Sequence, residues 1–301
     1  MIDAVINFLK PPGMTSHDAV SFVRRIYRQK RVGHSGTLDP AAAGVLPIYL
    51  GNATRLVEYG EEFDKEYRAE ILFGISTDTG DDTGTVLSQK PVTPELLETL
   101  EQVVLSFEGQ YEQVPPMYSA LKVNGRKLYE LAREGKEVER ESRTVDIRSI
   151  RLLYRRNDRA VIHVACSKGT YIRTLCEDIG TRMAMPATMA LLLRTRVGPF
   201  DINQTVTVEE ITENPQGALL SADIAVSHLQ LSHFSEMETR LLKQGRAVTA
   251  GSKSVSFIDN SMVRLYTDTD VFFGIGQYSV ETGLMKPSKI FADGNEKHVV
   301  D

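Results

Sequence analysis

A change of apolar period within the segment 161–179 constrains the fold of this chain more than any other sequence feature. Val161–Cys166 is a strand-like apolar run, and Gly169 lies in the turn that follows it. The next apolar residues recur at helical spacing, namely Ile172, Leu175, Cys176 and Ile179. Tyr67–Phe73 alternates apolar and polar residues, which is typical of a half-buried strand. We therefore expect helices packed against a sheet, with site residues on the turns between them.

Cysteine content and apolar runs exclude several classes of protein. The chain has only two cysteines, Cys166 and Cys176, which cannot form a disulfide framework or a four-ligand zinc site. No P-loop, no dinucleotide-binding glycine motif and no His/Cys cluster is present, so we expect no cofactor and no metal. No apolar run approaches the ~20 residues of a membrane span, and Met1–Lys10 is too short for a signal peptide. These features predict a cytoplasmic protein without membrane contact.

Charge is distributed unevenly along the chain, although the formal net charge is only −5. Residues 1–200 hold 27 Lys and Arg against 26 Asp and Glu, whereas residues 201–301 hold 8 against 14. The segment Ala19–Leu38 carries basic residues and no acid, namely Arg24, Arg25, Arg28, Lys30 and Arg31. Binding of a polyanion responds to the local field and not to the total charge. This arginine run is therefore a candidate nucleic-acid surface, with a solvated helix face as the alternative.

A helix is expected beneath the arginine run. Ser16 can cap its start, and its apolar residues recur on one side, namely Val20, Val23, Ile26 and Tyr27. The arginines would then occupy the other side. The following stretch, Gly33–Gly51, is rich in Gly, Ala and Pro, and we interpret it as an irregular loop that enters a short apolar element, Val45–Leu50.

The rest of the chain divides into an insertion and a C-terminal unit. Gln113–Arg143 is polar, basic and interrupted by turn residues, which indicates an insertion that projects from a core. Beyond about residue 235 a short helix, Met237–Gln244, precedes several strand candidates, namely Val255–Ile258, Met262–Thr267, Val271–Tyr278 and Leu284–Phe291. We therefore expect a first domain over residues 1–235 and a small β domain over residues 236–301.

Four patches carry the residues that suit chemistry. They are Lys10–Ser16, Gly33–Leu46 with the stretch Gly-Thr-Leu-Asp-Pro, Lys65–Ala69, and Cys166–Leu175 with the stretch Gly-Thr-Tyr-Ile-Arg. Each alone is a modest signal, and the dipeptide Asp39-Pro40 alone is more typical of a turn. The occurrence of all four patches in this order is a highly specific sequence pattern.

With these patches, and over nearly the whole chain, the sequence resembles the TruB family, the bacterial tRNA pseudouridine-55 synthases. The resemblance implies an α+β pseudouridine synthase fold, in which helices and loops flank a mixed, mainly antiparallel central sheet. It also implies a small C-terminal β domain of the PUA type and an insertion that grips RNA. The implied activity is the isomerisation of uridine 55, in the T-loop of tRNA, to pseudouridine. A monomer would act on tRNA without an obligate protein partner.

The resemblance also assigns roles to individual residues. The catalytic carboxylate falls on Asp39, the active-site tyrosine on Tyr67 and the active-site arginine on Arg173. The histidine that inserts into the RNA loop falls on His34. The apolar residue of the uracil pocket falls on Leu192, within three leucines that leave the register open by one. We expect further substrate-binding residues in the first two patches and the arginine run, namely Lys10, Gly33, Arg24, Arg25, Arg28 and Arg31.

These residue types suit such a reaction. Breaking the bond from ribose C1′ to base N1 and rejoining through C5 needs no redox step and no group carrier. It needs an ionised carboxylate beside the ribose, which attacks C1′ or assists elimination through the 2′ position. A guanidinium at Arg173 would favour the ionised form of Asp39, and Tyr67 offers a flat face for the uracil and a hydroxyl for the C5 proton. His34 can fill the stack that the extruded base leaves, and the arginines can contact phosphates.

Three other functions stay open. A glycoside hydrolase would need a second, paired acid, and the sequence offers none in a comparable setting. An RNA-folding factor would perform its task without Asp39. A guide-RNA-dependent synthase of the dyskerin type would act within partner proteins, whereas the long insertion favours a stand-alone enzyme.

Overall fold

The computed structural model describes residues 1–93, 95, 98–123, 125–249 and 257–291. The strands are β1 (Ala4–Lys10), β2 (Val32–His34), β3 (Ala43–Leu50), β4 (Lys65–Phe73), β5 (Ile75–Thr77), β6 (Val86–Gln89), β7 (Gly109–Gln113), β8 (Lys122–Val123), β9 (Arg126–Lys127), β10 (Arg143–Arg156), β11 (Arg159–Cys166), β12 (Ala187–Val197), β13 (Phe200–Asp201), β14 (Leu220–Ser221), β15 (Gln230–Phe234), β16 (Val248–Thr249), β17 (Met262–Thr267), β18 (Phe272–Ser279) and β19 (Leu284–Ile290). The α-helices are α1 (Ser16–Ile26), α2 (Val57–Glu61), α3 (Leu100–Leu105), α4 (Leu128–Arg133), α5 (Ile172–Arg182), α6 (Val208–Glu213) and α7 (Glu236–Lys243). No helix in these ranges is long and apolar enough to cross a membrane.

A ten-stranded sheet forms the centre of the molecule. Its strand order is β14-β1-β3-β12-β4-β11-β10-β7, with β2 also paired to β3 and β13 to β12. Strands β3 and β12 are parallel, and the other pairs of this sheet are antiparallel. The predicted mixed, mainly antiparallel sheet is therefore confirmed. The parallel pair joins residues 43–44 to 193–194, so it brings segments that are distant in sequence into one site.

Helices α3 and α5 cover one face of this sheet. The inward residues of β4, from Tyr67 to Phe73, alternate as predicted and pack in one cluster with Leu100 of α3 and Leu175 of α5. Each of these side chains is less than a tenth exposed, so burial of apolar area is the main stabilising contribution here. The start of α5 lies at the same end of β4 as Tyr67, and this end holds the candidate site.

Helix α1 differs in two respects from the expectation. Its cap is Thr15, whose hydroxyl accepts from the Asp18 backbone while the Asp18 carboxylate accepts from the Thr15 backbone, and not Ser16. The helix ends at Ile26, and Arg28 adopts a left-handed backbone conformation with φ of 51°. Arg28 and Arg31 therefore lie beyond the helix, and the prediction of a single helical face that carries all the arginines was wrong. The expected loop after Arg31 also contains two strands, β2 and the early part of β3.

The predicted insertion lies between two neighbouring strands. β7 ends at Gln113 and β10 begins at Arg143, and these two strands pair antiparallel at the edge of the sheet. The residues between them that the structure describes form the β8–β9 hairpin and α4. An insertion at this place leaves the sheet register intact, because it only lengthens the connection of an antiparallel pair.

A separate five-stranded sheet, in the order β15-β17-β18-β19-β16, forms the C-terminal part. Strand β15 already belongs to it, although this strand precedes residue 235, where we place the domain boundary. Residues 255 and 256 of the expected strand Val255–Ile258 lie outside the described residues. The second sheet contacts the first domain through Phe291, which packs among Tyr49 and Ala53, and through Arg55, which donates to the Ile290 carbonyl at 2.8 Å.

Candidate active site

Asp39 and Arg173 form an ion pair at the start of α5. Arg173 Nε lies 3.2 Å from Asp39 Oδ2. The side chain of Arg173 is 8% exposed, whereas that of Asp39 is 40% exposed. The carboxylate therefore has a positive charge on its inner side and an open side toward solvent, where a substrate can reach it.

Two backbone carbonyls hold the Arg173 guanidinium in place. Nη1 donates to the Thr79 carbonyl at 2.9 Å, and Nη2 donates to the Tyr118 carbonyl at 2.7 Å. Tyr118 belongs to the insertion, so the insertion reaches back to the ion pair. The start of α5 is fixed by Gln113, whose side-chain amide donates to the Tyr171 carbonyl at 3.0 Å and accepts from the Tyr171 amide at 2.8 Å. A guanidinium with this many fixed partners has little rotational freedom.

The loop that carries Asp39 is tied to the first patch. The Ser16 hydroxyl donates to the Leu38 carbonyl at 3.1 Å and accepts from the Leu38 amide at 2.9 Å. Lys10 Nζ donates to the Pro40 carbonyl at 3.3 Å and also to the carbonyls of Pro11 and Met14. Lys10 is fully buried, and this burial lowers its pKa to about 8. In this structure Lys10 therefore supports the Asp39 loop from below and does not reach the surface.

Tyr67 and Leu192 form the wall beside this loop. Tyr67 is 8% exposed, and burial raises its pKa to about 12. Leu192 is also nearly buried and belongs to the same apolar cluster, whereas Leu191 is 55% exposed. Pairing of Leu192 with Ala69 on β4 sets the register that the three leucines left open. An apolar wall next to a carboxylate is a suitable surface for the flat face of a base.

Arg194 is the residue of this site that sequence reasoning missed. It is 1% exposed, and its guanidinium donates to the Val45 carbonyl at 2.8 Å and to the Gly36 carbonyl at 2.9 Å. Gly36 adopts φ of 75°, and a Cβ there would lie 3.3 Å from Arg194 Nη1. A signal was available, because strand alternation from Leu192 directs residue 194 to the same, inner face. This signal is easily overlooked, because arginine is mostly found exposed.

The comparisons with known proteins identify the family of this chain. Family models match residues 24–172 as "TruB family pseudouridylate synthase (N terminal domain)", residues 173–221 as "tRNA pseudouridylate synthase B C-terminal domain" and residues 233–289 as "Pseudouridine synthase II TruB, C-terminal". A protein of Caldanaerobacter subterraneus named tRNA pseudouridine synthase B is 42% identical over 291 residues, which cover 96% of this chain and 99% of the relative. This chain belongs to the TruB family.

Further relatives support this assignment. A Symbiobacterium thermophilum protein, also named tRNA pseudouridine synthase B, is 52% identical over 213 residues, which cover 70% of this chain and 71% of that protein. Among solved structures, a Cbf5-Nop10-Gar1 complex matches with a TM-score of 0.72 and 26% identity over 96% of this chain and 85% of that chain. The predicted family and fold class are thus confirmed.

His34 lies in β2 of this TruB-family chain, next to the Asp39 loop. The ring is partly buried, and its Nδ1 has no hydrogen-bond partner among the described residues. Burial, followed by the charges of Arg194 and His17, lowers its pKa. A neutral imidazole suits stacking between bases. Its neighbour Gly33 has Thr54 and Val57 at ordinary contact distance from a Cβ, so packing within the protein does not require glycine there.

The arginines lie along the outer side of α1 and β2. Arg24, Arg25, Arg28 and Arg31 are all exposed. Arg24 donates to the Val32 carbonyl at 3.0 Å, and Arg31 donates to Thr54 and Asn52. The first of these contacts ties Arg24 to β2, the strand that carries His34. In the described ranges, no group of three or more His, Cys, Asp and Glu residues is placed to hold a metal ion.

Proposed function

We propose that this chain isomerises a T-loop uridine of tRNA to pseudouridine, with Asp39 as the catalytic carboxylate. The observation that carries the proposal is the ion pair of the half-exposed Asp39 with the buried Arg173, beside the nearly buried side chains of Tyr67 and Leu192. The names of the TruB relatives, which specify tRNA pseudouridine synthase, support tRNA as the substrate.

Each group of the pocket has a task in this reaction. The open side of the Asp39 carboxylate faces the ribose, and it attacks C1′ or assists elimination through the 2′ position as the bond to N1 breaks. The uracil then turns, held against Tyr67 and Leu192, and C5 bonds to C1′. The C5 proton leaves and N1 gains a proton, so the product is an isomer of the substrate. None of these steps consumes a nucleotide or transfers an electron.

Access to the pocket requires extrusion of the uridine from the loop. Unstacking costs a few kcal/mol. A His34 ring in the vacated position offsets part of that cost, and phosphate contacts from Arg24, Arg25 and Arg28 offset more. The Tyr118 carbonyl of the insertion accepts from Arg173, so a movement of the insertion on RNA binding would reach the ion pair directly. We propose that this grip lets the chain act alone and as a monomer.

The experiment is conversion of a tRNA transcript by the purified chain, without added metal, nucleotide or protein. Mapping with a carbodiimide label should place pseudouridine at the T-loop uridine alone. A transcript with cytidine at that position is the matched control and should stay unlabelled. Conversion that appears only after guide RNA and partner proteins are added would favour the dyskerin type, whose complexes share the fold. Binding without conversion under all conditions would favour an RNA-folding factor.

A further inference from the structure

Arg194 is a buried cation without a carboxylate. It is one of the largest fully buried side chains of the chain, and no described acid forms an ion pair with it. Burial of a charge without an opposite charge is costly, and an apolar side chain of similar volume is often at least as stable. A local choice that opposes stability is a sign of a functional constraint.

The Arg194 guanidinium is a neighbour both of Tyr67 and of the loop that carries Asp39. Arg194 on β12 lies directly opposite Tyr67 on β4, so the two side chains are adjacent on the same face of the sheet. Its two observed acceptors, the carbonyls of Gly36 and Val45, lie on either side of Asp39 along the chain. One buried guanidinium therefore holds the carboxylate loop and lies within reach of the tyrosine.

We propose that Arg194 is a positioning residue that donates a hydrogen bond to Tyr67 Oη and so prepares this oxygen to accept the C5 proton of the uracil. The inference rests on the proposed function, because it assigns the proton acceptor of that reaction. Tyr67 is the group that touches the substrate, and Arg194 acts only through it and through the Asp39 loop.

The proton balance explains why such a donor is needed. After C5 has bonded to C1′, the C5 hydrogen leaves as a proton, and its electron pair restores the ring double bond. A phenol takes this proton only as its own proton passes to water at the pocket mouth, so negative charge develops on Oη. A guanidinium that already donates to this oxygen stabilises that charge without reorganisation. N1 takes its proton from solvent.

The charges around Tyr67 act in opposite directions. Burial has the largest effect and raises the pKa of Tyr67, and the nearby Cys166 and Asp39 raise it further. Arg194 lowers it, chiefly through its positive charge. The other titratable groups that face Arg194 are Lys10, Lys65 and His34. In cationic form these three also favour a phenolate, but no hydrogen bond joins any of them to Oη.

The kinetic test uses Arg194→Met, with Arg196→Met as the matched control. Arg196 lies on the same strand but is exposed and pairs with Glu66 and Asp201. Single-turnover rates on T-arm RNA should fall about 100-fold for Arg194→Met and stay near wild type for Arg196→Met. RNA deuterated at uracil C5 should react more slowly than normal RNA in Arg194→Met, with a larger isotope effect than in wild type. An unchanged isotope effect would contradict the proposal.

Rescue by a more acidic phenol distinguishes positioning from a general structural role. Replacement of Tyr67 by a fluorinated tyrosine in the Arg194→Met background should recover a large part of the lost rate, because a more acidic phenol needs less stabilisation. A merely structural defect would not respond to the acidity of residue 67. No recovery, in a variant with wild-type thermal stability and RNA affinity, would overturn the proposal.

A titration keeps the proposal testable even if Arg194→Met fails to fold. The fluorinated tyrosine at position 67 can be titrated by its absorbance in free protein, with Arg194 and with the conservative Arg194→Lys. We expect a higher phenol pKa in Arg194→Lys, because a compact ammonium cannot span Oη and both carbonyls as the planar guanidinium fork does. An equal pKa would show that Arg194 does not act on Tyr67. This readout needs no turnover, so it separates a failure of this inference from a failure of the proposed function.

Discussion

The pocket around Asp39 and the arginine surface around α1 both use cations, but they hold them differently. In the pocket, Lys10, Arg173 and Arg194 are buried and donate to backbone carbonyls. On the surface, Arg25 and Arg28 are exposed and have no hydrogen bond or ion pair with a described residue. Fixed cations suit chemistry, because they stabilise developing charge without reorganisation. Mobile exposed cations suit phosphates, whose positions vary between RNAs. The two regions should therefore fail in different ways when they are changed.

The largest effect is expected at the carboxylate. Asp39→Asn keeps the shape of the side chain but removes its charge, so single-turnover isomerisation should fall about 10,000-fold or more. tRNA affinity should stay near wild type, because Asp39 is not part of the arginine surface. Asp158→Asn, at an exposed turn, is the matched control and should have no effect on the rate. Near-normal turnover of Asp39→Asn would contradict the assignment of the chemical step to the site around Asp39.

The next effect concerns the partner of this carboxylate. Arg173→Met removes the ion pair and two donors to carbonyls, and the rate should fall about 100-fold to 1,000-fold. Arg173→Lys should recover a part of the loss, since a point charge remains but the fork geometry does not. Arg182→Met, at the exposed end of the same helix, should react as wild type does. Equal loss in both methionine variants would point to damage of α5 and not to the ion pair.

The arginine surface should affect binding and not the chemical step. The triple change of Arg24, Arg25 and Arg28 to Gln should weaken tRNA binding and lower the slope of log affinity against log salt by roughly one for each phosphate contact that is lost. The rate at saturating tRNA should stay unchanged. Arg151 and Arg156 on β10, which are exposed and have no side-chain partner among the described residues, provide the comparison. Their change to Gln should leave the slope unaltered. An unaltered slope in the triple variant would show that these three arginines do not contact phosphates in the complex.

The smallest effect concerns the pH dependence of stability, which depends on how deeply Lys65 is buried beside the site. Burial lowers the pKa of Lys65 from 10.5 to about 8. Between these two values the unfolded chain binds more protons than the folded chain, so the contribution of this group to stability increases as pH rises. Urea unfolding should therefore show a shallower increase from about pH 8 to pH 10 in Lys65→Met than in wild type. Equal slopes would indicate that Lys65 is hydrated and that the pocket is more open than described.

The sequence indicates which residues lie together at the site more readily than it indicates the buried residues that hold them in place. Asp39, Tyr67 and Arg173 stand in motifs, and their placement together follows the family pattern. Strand alternation indicates that residue 194 points inward, but the burial of an arginine there depends on the pairing of β12 with both β3 and β4, which a single sequence does not display. Gly44 shows the same dependence, since a Cβ there would lie 2.1 Å from the Arg194 carbonyl oxygen. Strand pairing of this kind is a tertiary property that local propensity does not contain.

Local chemistry explains the other differences. Thr15 and Ser16 both suit a helix cap by residue type, and serine ranks above threonine. The acid three residues after Thr15 is the signal for a capping box and could have decided between them. The left-handed backbone at Arg28 has no such signal, because arginine does not favour that conformation. The sequence therefore does not predict where α1 ends, or that Arg28 and Arg31 lie beyond the helix.

The most direct measurement is a structure of Asp39→Asn bound to a T-arm RNA. The variant should bind RNA without turning it over, so it should hold the substrate. We predict an extruded T-loop uridine with its ribose C1′ against the side chain of residue 39 and its base against Tyr67 and Leu192. A uridine that stays stacked in its loop, or a ribose that lies away from residue 39, would contradict the account.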